Sequence, residues 1–274
     1  MTQPRFGSGP MPSEYATLTV EPHGDHILIV TLDRPQVANA LNTQMARDLI
    51  DLFEGLALDA GGVRCILLTG RGDRAFCAGG DLKERRGMSD AAWNAQHRVF
   101  ERMVRALVDC PVPKIALVNG AAYGGGCEIA AACDVIHAAA HARFAMTEVT
   151  LGIIPGAGGT QTLARAMGQR RALEVILTGT PFDAQEAAEW GLVNRVVPAD
   201  ALRAAGIATA ERIAANAPIA VRQARQAIVR GLQMSLADGL AFEIEAYNQT
   251  VPTEDRREGV LAFNEGRPAV FKGR

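Results

Sequence analysis

Short apolar runs that end at glycine or proline alternate with amphipathic stretches along the first part of the chain. The segments ATLTV and HILIVTLDRP flank a turn at residues 22–25, and this arrangement predicts a β-hairpin. The run VRCILLTG predicts a short buried strand that ends at Gly70. Between these strands, Asn42 is a candidate N-cap for a helix. Five apolar side chains follow it at helical spacing: Met45, Leu49, Leu52, Phe53 and Leu56.

The same alternation continues through the middle of the chain and then changes to helix. A predicted helix at residues 90–108 precedes CPVPKIALVNG, DVIHAA and ARFAMTE, which predict three more short strands. This order of elements indicates an α/β chain built from βα or ββα units. From Ala184 onward the pattern is helical, without a strand large enough to hold a sheet. We therefore expect a flexible N-terminal arm at residues 1–15, a core at residues 16–200 and a C-terminal helical region at residues 201–274.

The composition is that of an ordinary globular protein. The chain has 274 residues, of which 48% are hydrophobic, and its formal net charge is −2. This balance gives no general attraction to nucleic acid or to an anionic membrane. The 5 cysteines form no C-x-x-C pair, which argues against a disulfide framework. Since the N-terminus lacks an apolar signal core and no apolar stretch is long enough to span a bilayer, we expect a cytoplasmic protein with neither nucleic-acid nor membrane partners.

Two glycine-rich loops are the first candidates for chemistry. In GAAYGGGCEIAAACD, the glycines at residues 124–126 come directly before Cys127 and Glu128. A helix that begins at such glycines offers unobstructed N–H groups to a ligand that is negative or gains charge. The loop FCAGGDLKE has the same build around Gly79 and Gly80. Two backbone N–H groups from separate loops are what an oxyanion hole requires.

Simpler interpretations of these features remain open. A glutamate in the first turn of a helix is commonly a dipole-stabilising residue only. Neither GAAYGGGCE nor PGAGGTQ has the spacing of a dinucleotide-binding loop, because Ile129 and Gln161 stand where a third glycine would fall. Cys127 has no histidine placed beside it in the sequence, so we interpret it as a small buried residue.

Two further clusters are interpreted as structural. His137 and His141 are four residues apart, but they fall in a predicted strand region with no third ligand, so no metal site is expected. Arg98, Arg102 and Arg105 recur at helical spacing among acidic neighbours, which is typical of a solvated helix face and not of a nucleic-acid interface.

Four motifs together resemble one protein family. LDRPQVANALN, RAFCAGGDLKE, GGGCEIAAACD and FAMTEVTLGIIPGAGGTQTLAR, in this order and at these intervals, are similar to the crotonase (enoyl-CoA hydratase/isomerase) superfamily. The resemblance extends from Leu18 to EDRREGVLAFNEGRP. It implies an α/β fold with a superhelical spiral core of ββα units and a C-terminal all-helical region that supports a homotrimer or a dimer of trimers. It also implies an acyl-CoA substrate with no separate cofactor, and a place in fatty-acid β-oxidation.

The resemblance further implies the site residues. The oxyanion N–H groups would be those of Gly80 and Gly125, and the two carboxylates of hydratases fall on Glu128 and Glu148. We assign Glu128 as the base that activates water and Glu148 as the acid at C2, although a coupled pair can share one proton. The residues implied to contact substrate and coenzyme A are Gln36, Val37, Ala38, Ala78, Gly80, Asp81, Leu82, Lys83, Gly124, Gly125 and Phe263. Phe263 would reach the coenzyme A of a neighbouring subunit.

The resemblance favours an enoyl-CoA hydratase and leaves alternatives open. Many family members have a lysine where Gln36 stands and a proline where Thr147 stands. Isomerases typically keep only the second glutamate, so a Δ3-Δ2 enoyl-CoA isomerase is one alternative. The segment GDLKERRGMS is similar to methylglutaconyl-CoA hydratases, so a branched-chain hydratase is another. A non-catalytic or RNA-binding oligomer on the same fold is a third, because fold alone does not determine function.

Overall fold

A computed structural model describes residues 14–274. The N-terminal arm predicted at residues 1–15 therefore lies almost entirely outside the described residues. The strands are β1 (Leu18–His23), β2 (Ile27–Leu32), β3 (Cys65–Gly70), β4 (Ala75–Cys77), β5 (Lys114–Val118), β6 (Ala121–Tyr123), β7 (Val135–Ala139), β8 (Arg143–Ala145), β9 (Phe182–Asp183) and β10 (Arg195–Val197). The helices are α1 (Thr43–Leu58), α2 (Leu82–Arg85), α3 (Asp90–Asp109), α4 (Gly125–Ala131), α5 (Gly159–Met167), α6 (Gln169–Thr178), α7 (Ala184–Glu189), α8 (Leu202–Ala214), α9 (Pro218–Gly231), α10 (Leu236–Asn248) and α11 (Glu254–Glu265).

The strands form two mixed sheets. The larger sheet has the order β1-β2-β3-β5-β7-β10, in which only the β1–β2 pair is antiparallel. The smaller sheet has the order β4-β6-β8-β9, with β8 and β9 antiparallel. Three of the four short strands of the smaller sheet follow a strand of the larger one along the chain, as in β3 to β4, β5 to β6 and β7 to β8. This repeated step is the ββα unit, and with the C-terminal helices α9–α11 it confirms the predicted α/β crotonase-like fold.

The local predictions for the first elements are confirmed. β1 and β2 form the hairpin, with Leu18 paired to Leu32 and His23 to Ile27. Asn42 caps α1, since its side-chain oxygen accepts a hydrogen bond from the Met45 amide at 2.9 Å. The apolar side chains predicted to face the core are all buried: Met45, Leu49, Leu52, Phe53 and Leu56.

The region after Ala184 contains one strand that the hydrophobic pattern does not predict. β10 extends the larger sheet by pairing in parallel with His137–Ala139 of β7. It is three residues long and begins with an exposed arginine, so it shows no apolar run in the sequence. Helix α8 then packs on the same sheet, because a side chain on Gly206 would meet the Leu117 side chain of β5. The domain boundary at residue 200 stays a prediction. Helix α8 comes after this boundary in the chain, yet it contacts the larger sheet, whose strands come before it.

The C-terminal helices pack on the core through a few polar contacts. Arg225 of α9 donates to Asp134 at 2.8 Å and to the Val108 carbonyl at 3.1 Å. Arg64 holds the C-terminal tail by donating to the Phe271 carbonyl at 2.8 Å. Many large apolar side chains of α9–α11 are nevertheless exposed: Ile228, Leu232, Leu236, Leu240, Ile244, Tyr247, Val260, Leu261 and Phe263. None of the helices in the described part of the chain combines the length and apolar composition of a membrane span.

Candidate active site

The loop between β4 and α2 leaves one amide group free. Leu41 pairs with this loop, because its N–H donates to the Gly79 carbonyl and its carbonyl accepts from the Asp81 N–H, both at 2.8 Å. These two bonds use the residues on either side of Gly80, namely Gly79 and Asp81. The N–H of Gly80 itself has no hydrogen-bond acceptor among residues 14–274. Gly79 adopts a φ of 97°, and a side chain there would meet the Tyr123 carbonyl oxygen at 2.8 Å. The loop can therefore turn only with glycine at that position.

The second free amide belongs to Gly125, the first residue of α4. The first N–H groups of a helix have no intrahelical acceptor, and within the described chain this one has no other acceptor either. A Cβ atom built on Gly125 would lie 3.9 Å from the Gly80 nitrogen, so the two loops meet at this point. A side chain on Gly126 would overlap the Cys77 carbonyl, so the close approach of α4 to β4 requires glycine there as well.

Gly80 and Gly125 both line one cavity of about 410 Å³. Glu128 and Glu148 line the same cavity, so the four residues proposed for catalysis are brought together. Apolar and aromatic side chains form much of the remaining wall: Leu41, Leu82, Trp93, Phe100, Leu151, Ile153 and Ile154. Such a mostly apolar cleft with a few convergent polar groups is typical of a small-molecule site.

Glu128 is held by backbone groups. Its side chain is 3% exposed, and its Oε1 atom accepts hydrogen bonds from the amides of Ala157 and Gly159, each at 2.8 Å. These amides belong to PGAGGTQ, where Gly158 has a φ of 98° and is the N-cap residue of α5. A Cβ atom on Gly159 would lie 2.9 Å from Oε1 of Glu128. The sequence argument rejects PGAGGTQ as a nucleotide loop but does not identify this positioning role.

Glu148 reaches the cavity from the smaller sheet. It begins a short 3-10 helix (Glu148–Leu151) after β8 and is 9% exposed. Its Oε2 atom is buried and has no hydrogen-bond partner in the described part of the chain. A Cβ atom on Gly124 would lie 2.9 Å from its Oε1 atom, so the glycine at residue 124 makes room for this carboxyl group.

The two glutamates have perturbed acidities. Burial raises the pKa of Glu128 to about 7, although the amides of Gly159 and Ala157 oppose the rise; the charge of Glu148 adds to it. Burial also raises the pKa of Glu148 above its usual value. Because burial raises the pKa of both carboxyl groups, each takes up a proton more readily than a free glutamate does, and the pair can share one. The cavity can thus present one carboxylate and one carboxylic acid, which is what proton transfer in two directions needs.

The predicted coenzyme A contacts fall into two groups. Five of these residues line the cavity: Ala78, Gly80, Leu82, Gly124 and Gly125. The others do not: Gln36, Val37, Ala38, Asp81, Lys83 and Phe263. The Ala38 carbonyl accepts from the Ala78 amide at 3.0 Å, so that loop lies beside the cavity. Asp81 caps α2 and pairs with Arg34 at 3.0 Å, while Phe263 is 85% exposed on α11. Their roles in binding coenzyme A stay predictions.

The other candidates from the sequence lie away from this chemistry. Cys127 is buried in the core, where burial raises the pKa of its thiol, as expected for a packing residue. His137 is on β7 and His141 is in the turn that follows, and residues 14–274 hold no cluster of three or more metal-ligating side chains. Arg102 pairs with Glu54 at 2.6 Å on the surface.

Several cavity residues on α2 and α3 are not identified as site residues from the sequence. Arg85 lies in the segment GDLKERRGMS but has no role assigned there, and the others lie in no quoted motif: Trp93, Asn94, His97 and Phe100. The guanidinium carbon of Arg85 lies 4.3 Å from the centre of the Trp93 ring and 5.1 Å from that of Phe100. Only the general helical pattern of α3 could have indicated that Phe100 faces inward.

Known proteins resemble this chain over most of its length. The family model described as "Enoyl-CoA hydratase/isomerase" matches residues 23–274. The chain is 47% identical over 249 residues to the putative enoyl-CoA hydratase/isomerase YngF of Bacillus subtilis, covering 91% of this chain and 95% of that protein. It is 40% identical over 249 residues to the short-chain-enoyl-CoA hydratase of Clostridium acetobutylicum, covering 90% and 95%. The crystal structure of an enoyl-CoA hydratase from Bacillus anthracis superposes with a TM-score of 0.92 at 43% identity, covering 94% of this chain and 100% of that one. The chain belongs to the enoyl-CoA hydratase/isomerase, or crotonase, family.

Proposed function

We propose that the protein is an enoyl-CoA hydratase, which adds water across the C2–C3 double bond of a 2-enoyl-CoA thioester. The observation that supports this most directly is the shared cavity of two free loop amides and two buried glutamates. The relative with 47% identity is named a putative enoyl-CoA hydratase/isomerase and the one with 40% identity a short-chain-enoyl-CoA hydratase, and these names support the same class. A place in fatty-acid β-oxidation is part of the proposal.

The amides of Gly80 and Gly125 stabilise the charge that develops during the reaction. When water adds at C3, the electron pair of the double bond moves toward C2 and the thioester oxygen. These two N–H groups have no acceptor among residues 14–274, so they are available for this oxygen. Removal of one such donor typically costs on the order of 10²–10³ in rate.

The two glutamates transfer the protons. Glu128 as a carboxylate accepts a proton from water, and the oxygen of that water bonds to C3. Glu148 as a carboxylic acid gives its proton to C2, so the product is a 3-hydroxyacyl-CoA and one proton has moved from Glu148 to Glu128 overall. The two amide bonds to Oε1 favour the ionised form of Glu128 and oppose the burial that raises its pKa to about 7, so Glu128 is a carboxylate above that pH. The buried Oε2 atom, which has no hydrogen-bond partner in the part of the chain that the structure describes, favours the neutral form of Glu148.

The coenzyme A part and the assembly complete the proposal. Coenzyme A would lie along Gln36, Val37 and Ala38 and along the loop that contains Asp81 and Lys83. The exposed apolar surface of α9–α11 would meet other copies of the chain in a homotrimer or a dimer of trimers. In that assembly Phe263 would reach the coenzyme A of a neighbouring copy. The division into an N-terminal arm, a core to residue 200 and a helical region after it belongs to the same proposal.

A direct assay tests the proposed activity. Purified protein mixed with crotonyl-CoA should remove the ultraviolet absorbance of the conjugated thioester without added metal or nicotinamide. The proposal fails if no enoyl-CoA among short, long and branched chains loses this absorbance. A gain of the same absorbance with a 3-enoyl-CoA, retained in Glu128→Gln, would instead indicate isomerase chemistry that depends on Glu148.

A further inference from the structure

His97 lies where helix α3 meets the glycine-rich loop beside Glu128. It is half-buried and lines the same cavity as Glu128. Its imidazole ring packs directly on Gly156, because a Cβ atom built on Gly156 would overlap Cε1 of His97 and lie 2.8 Å from its Nε2. Only glycine at residue 156 leaves room for the ring, so the ring and the loop are in close contact.

Gly156 directly precedes the part of the loop that holds Glu128. Oε1 of Glu128 accepts hydrogen bonds from the amides of Ala157 and Gly159, each at 2.8 Å. Neither the N–H nor the carbonyl of Gly156 makes a hydrogen bond to residues 14–274. The path of the loop at this point therefore depends on side-chain packing.

Helix α3 is the surface on which the loop packs. His97 contacts Gly156, and seven residues further along the same face of α3 the side chain of Val104 contacts the loop as well. The Cγ1 atom of Val104 would lie 3.5 Å from a Cβ atom built on Gly158. Because α3 also packs on α1, it is a fixed support for the loop.

The ring of His97 lies apart from the proton transfers. Its Nε2 atom lies 3.6 Å from Oε1 of Glu101, an exposed residue one turn further along α3. In the described part of the chain, the ring makes no hydrogen bond to Glu128 or to Glu148. Its contact with the active site is thus through the loop.

We propose that His97 is a positioning residue for the reaction: its ring supports the loop at Gly156, and the loop presents the two amides to Glu128. This inference rests on the proposed hydratase function and adds a residue that no motif in the sequence identifies. Loss of the ring would open a void beside Gly156, and the loop would shift into it. A displacement of about 1 Å in a catalytic group can cost on the order of 10² in rate.

Removal of the ring tests the inference. His97→Ala should lower kcat with crotonyl-CoA by about 10–100-fold and change KM by less than about threefold, because the ring acts through the loop. The midpoint of the acidic decline in kcat/KM should move upward by about 0.5–1 pH unit, since loosened amides stabilise the Glu128 carboxylate less. His97→Gln keeps a planar group of similar size without a charge, so it should stay within about threefold of the parent's kcat and keep its pH midpoint.

Two results with these variants would overturn the inference. A loss in His97→Gln equal to that in His97→Ala would show that the charge or the ring nitrogens of His97 matter and that support of the loop does not. A lower melting temperature in His97→Ala without any shift of the pH midpoint would show that the residue only stabilises the fold.

Variants of Gly156 test the contact from the side of the loop. Gly156→Ala should also lower kcat by about 10–100-fold, because its methyl group displaces the ring or the loop. When Gly156→Ala is combined with His97→Ala, the methyl group fills part of the space that the ring leaves. The double variant should therefore lose no more activity than either single variant. Losses that multiply in the double variant would show two independent effects and would overturn the inference.

Arg98→Ala is the matched control, because Arg98 is the next residue on α3, is exposed and does not line this cavity. It should leave both kcat and the pH midpoint unchanged. A loss in Arg98→Ala as large as that in His97→Ala would show a general effect of changes in α3 and would contradict the specific role of the ring.

A titration without turnover separates this inference from the hydratase proposal. Carbon NMR of protein labelled at the glutamate carboxyl carbons reports the ionisation of Glu128, whose signal is the one absent in Glu128→Gln. His97→Ala should move the midpoint of this titration upward, as in the kinetics. Equal midpoints in the parent and His97→Ala would refute the role of His97 even where crotonyl-CoA is hydrated. A shifted midpoint in a protein that hydrates no enoyl-CoA would refute the hydratase function and retain the positioning role.

Discussion

The Oε1 atom of Glu128 lies 2.8 Å from the amide nitrogen of Gly159 and accepts its hydrogen bond. The two residues are 31 positions apart in the chain, and the contact joins the first turn of α4 to the start of α5. Because the donors that hold this carboxylate are backbone groups, its position depends on the path of a glycine-rich loop.

Replacement of either glutamate by glutamine should remove most of the hydration and preserve the fold. Glutamine keeps the shape and the acceptor oxygen for the Ala157 and Gly159 amides but cannot exchange a proton. We expect Glu128→Gln and Glu148→Gln each to lower kcat by about 10²–10⁴. Steady-state kinetics with crotonyl-CoA measures the loss, and circular dichroism checks the fold. A rate near the parent's in Glu128→Gln would require another group to activate water.

The acidity of Glu128 should appear in the pH dependence of the reaction. Its pKa is raised to about 7, and as a base it works only when ionised. The value of kcat/KM should therefore fall about tenfold for each unit of pH below 7. The residual activity of Glu128→Gln should lack this decline. A parent profile that stays flat from pH 8 to pH 5 would contradict the role of Glu128 as the base.

The same group should cost the protein stability at high pH. The folded state holds the Glu128 proton up to about pH 7, whereas the unfolded chain releases it near 4.5. The stability that this proton contributes is present below pH 4.5 and is lost as the pH rises through 7. The quantity to compare is the free energy of unfolding of Glu128→Gln minus that of the parent. This difference should be about 1–3 kcal/mol more favourable to the variant at pH 8 than at pH 4. Urea unfolding at the two pH values measures this, and a gain that is the same at both would contradict the assigned acidity.

The close approach of α4 to β4 makes Gly126 sensitive to any side chain. A Cβ atom there would overlap the Cys77 carbonyl, so Gly126→Ala should push α4 and the Gly125 amide away from Gly80. We expect a loss of about 1–3 kcal/mol in stability together with most of the hydration activity. Gly55→Ala is the control, since Gly55 is in α1 with open space around it and the change should stabilise by about 0.5–1 kcal/mol. Equal effects of the two substitutions on activity would contradict the assigned geometry.

Features that depend on the local pattern of residues could be predicted from the sequence. The Asn42 cap and the amphipathic face of α1 follow from residue spacing, and the glycines before Glu128 indicate a helix that begins beside a ligand. The pairing of Glu128 with Glu148 follows from the family resemblance, and the structure brings both to one cavity.

Features that depend on distant contacts could not be predicted in this way. The amide of Ala157 that holds Glu128 is 29 positions away, and no periodicity marks such a contact. β10 is three residues long and depends on β7 for its hydrogen bonds. Arg85 lies in a helix of four residues, and its place in the cavity is set by Trp93 and Phe100 of the next helix.

The central claim is that this cavity adds water to the double bond of an enoyl thioester. The most direct measurement is the mass of the product formed from crotonyl-CoA in heavy-oxygen water by the parent protein and by Glu128→Gln. The account predicts that the parent yields a product heavier by one molecule of labelled water, at a rate at least about a hundredfold above that of the variant. The account would be contradicted if the parent formed no labelled product, or if the parent and Glu128→Gln formed labelled product at equal rates.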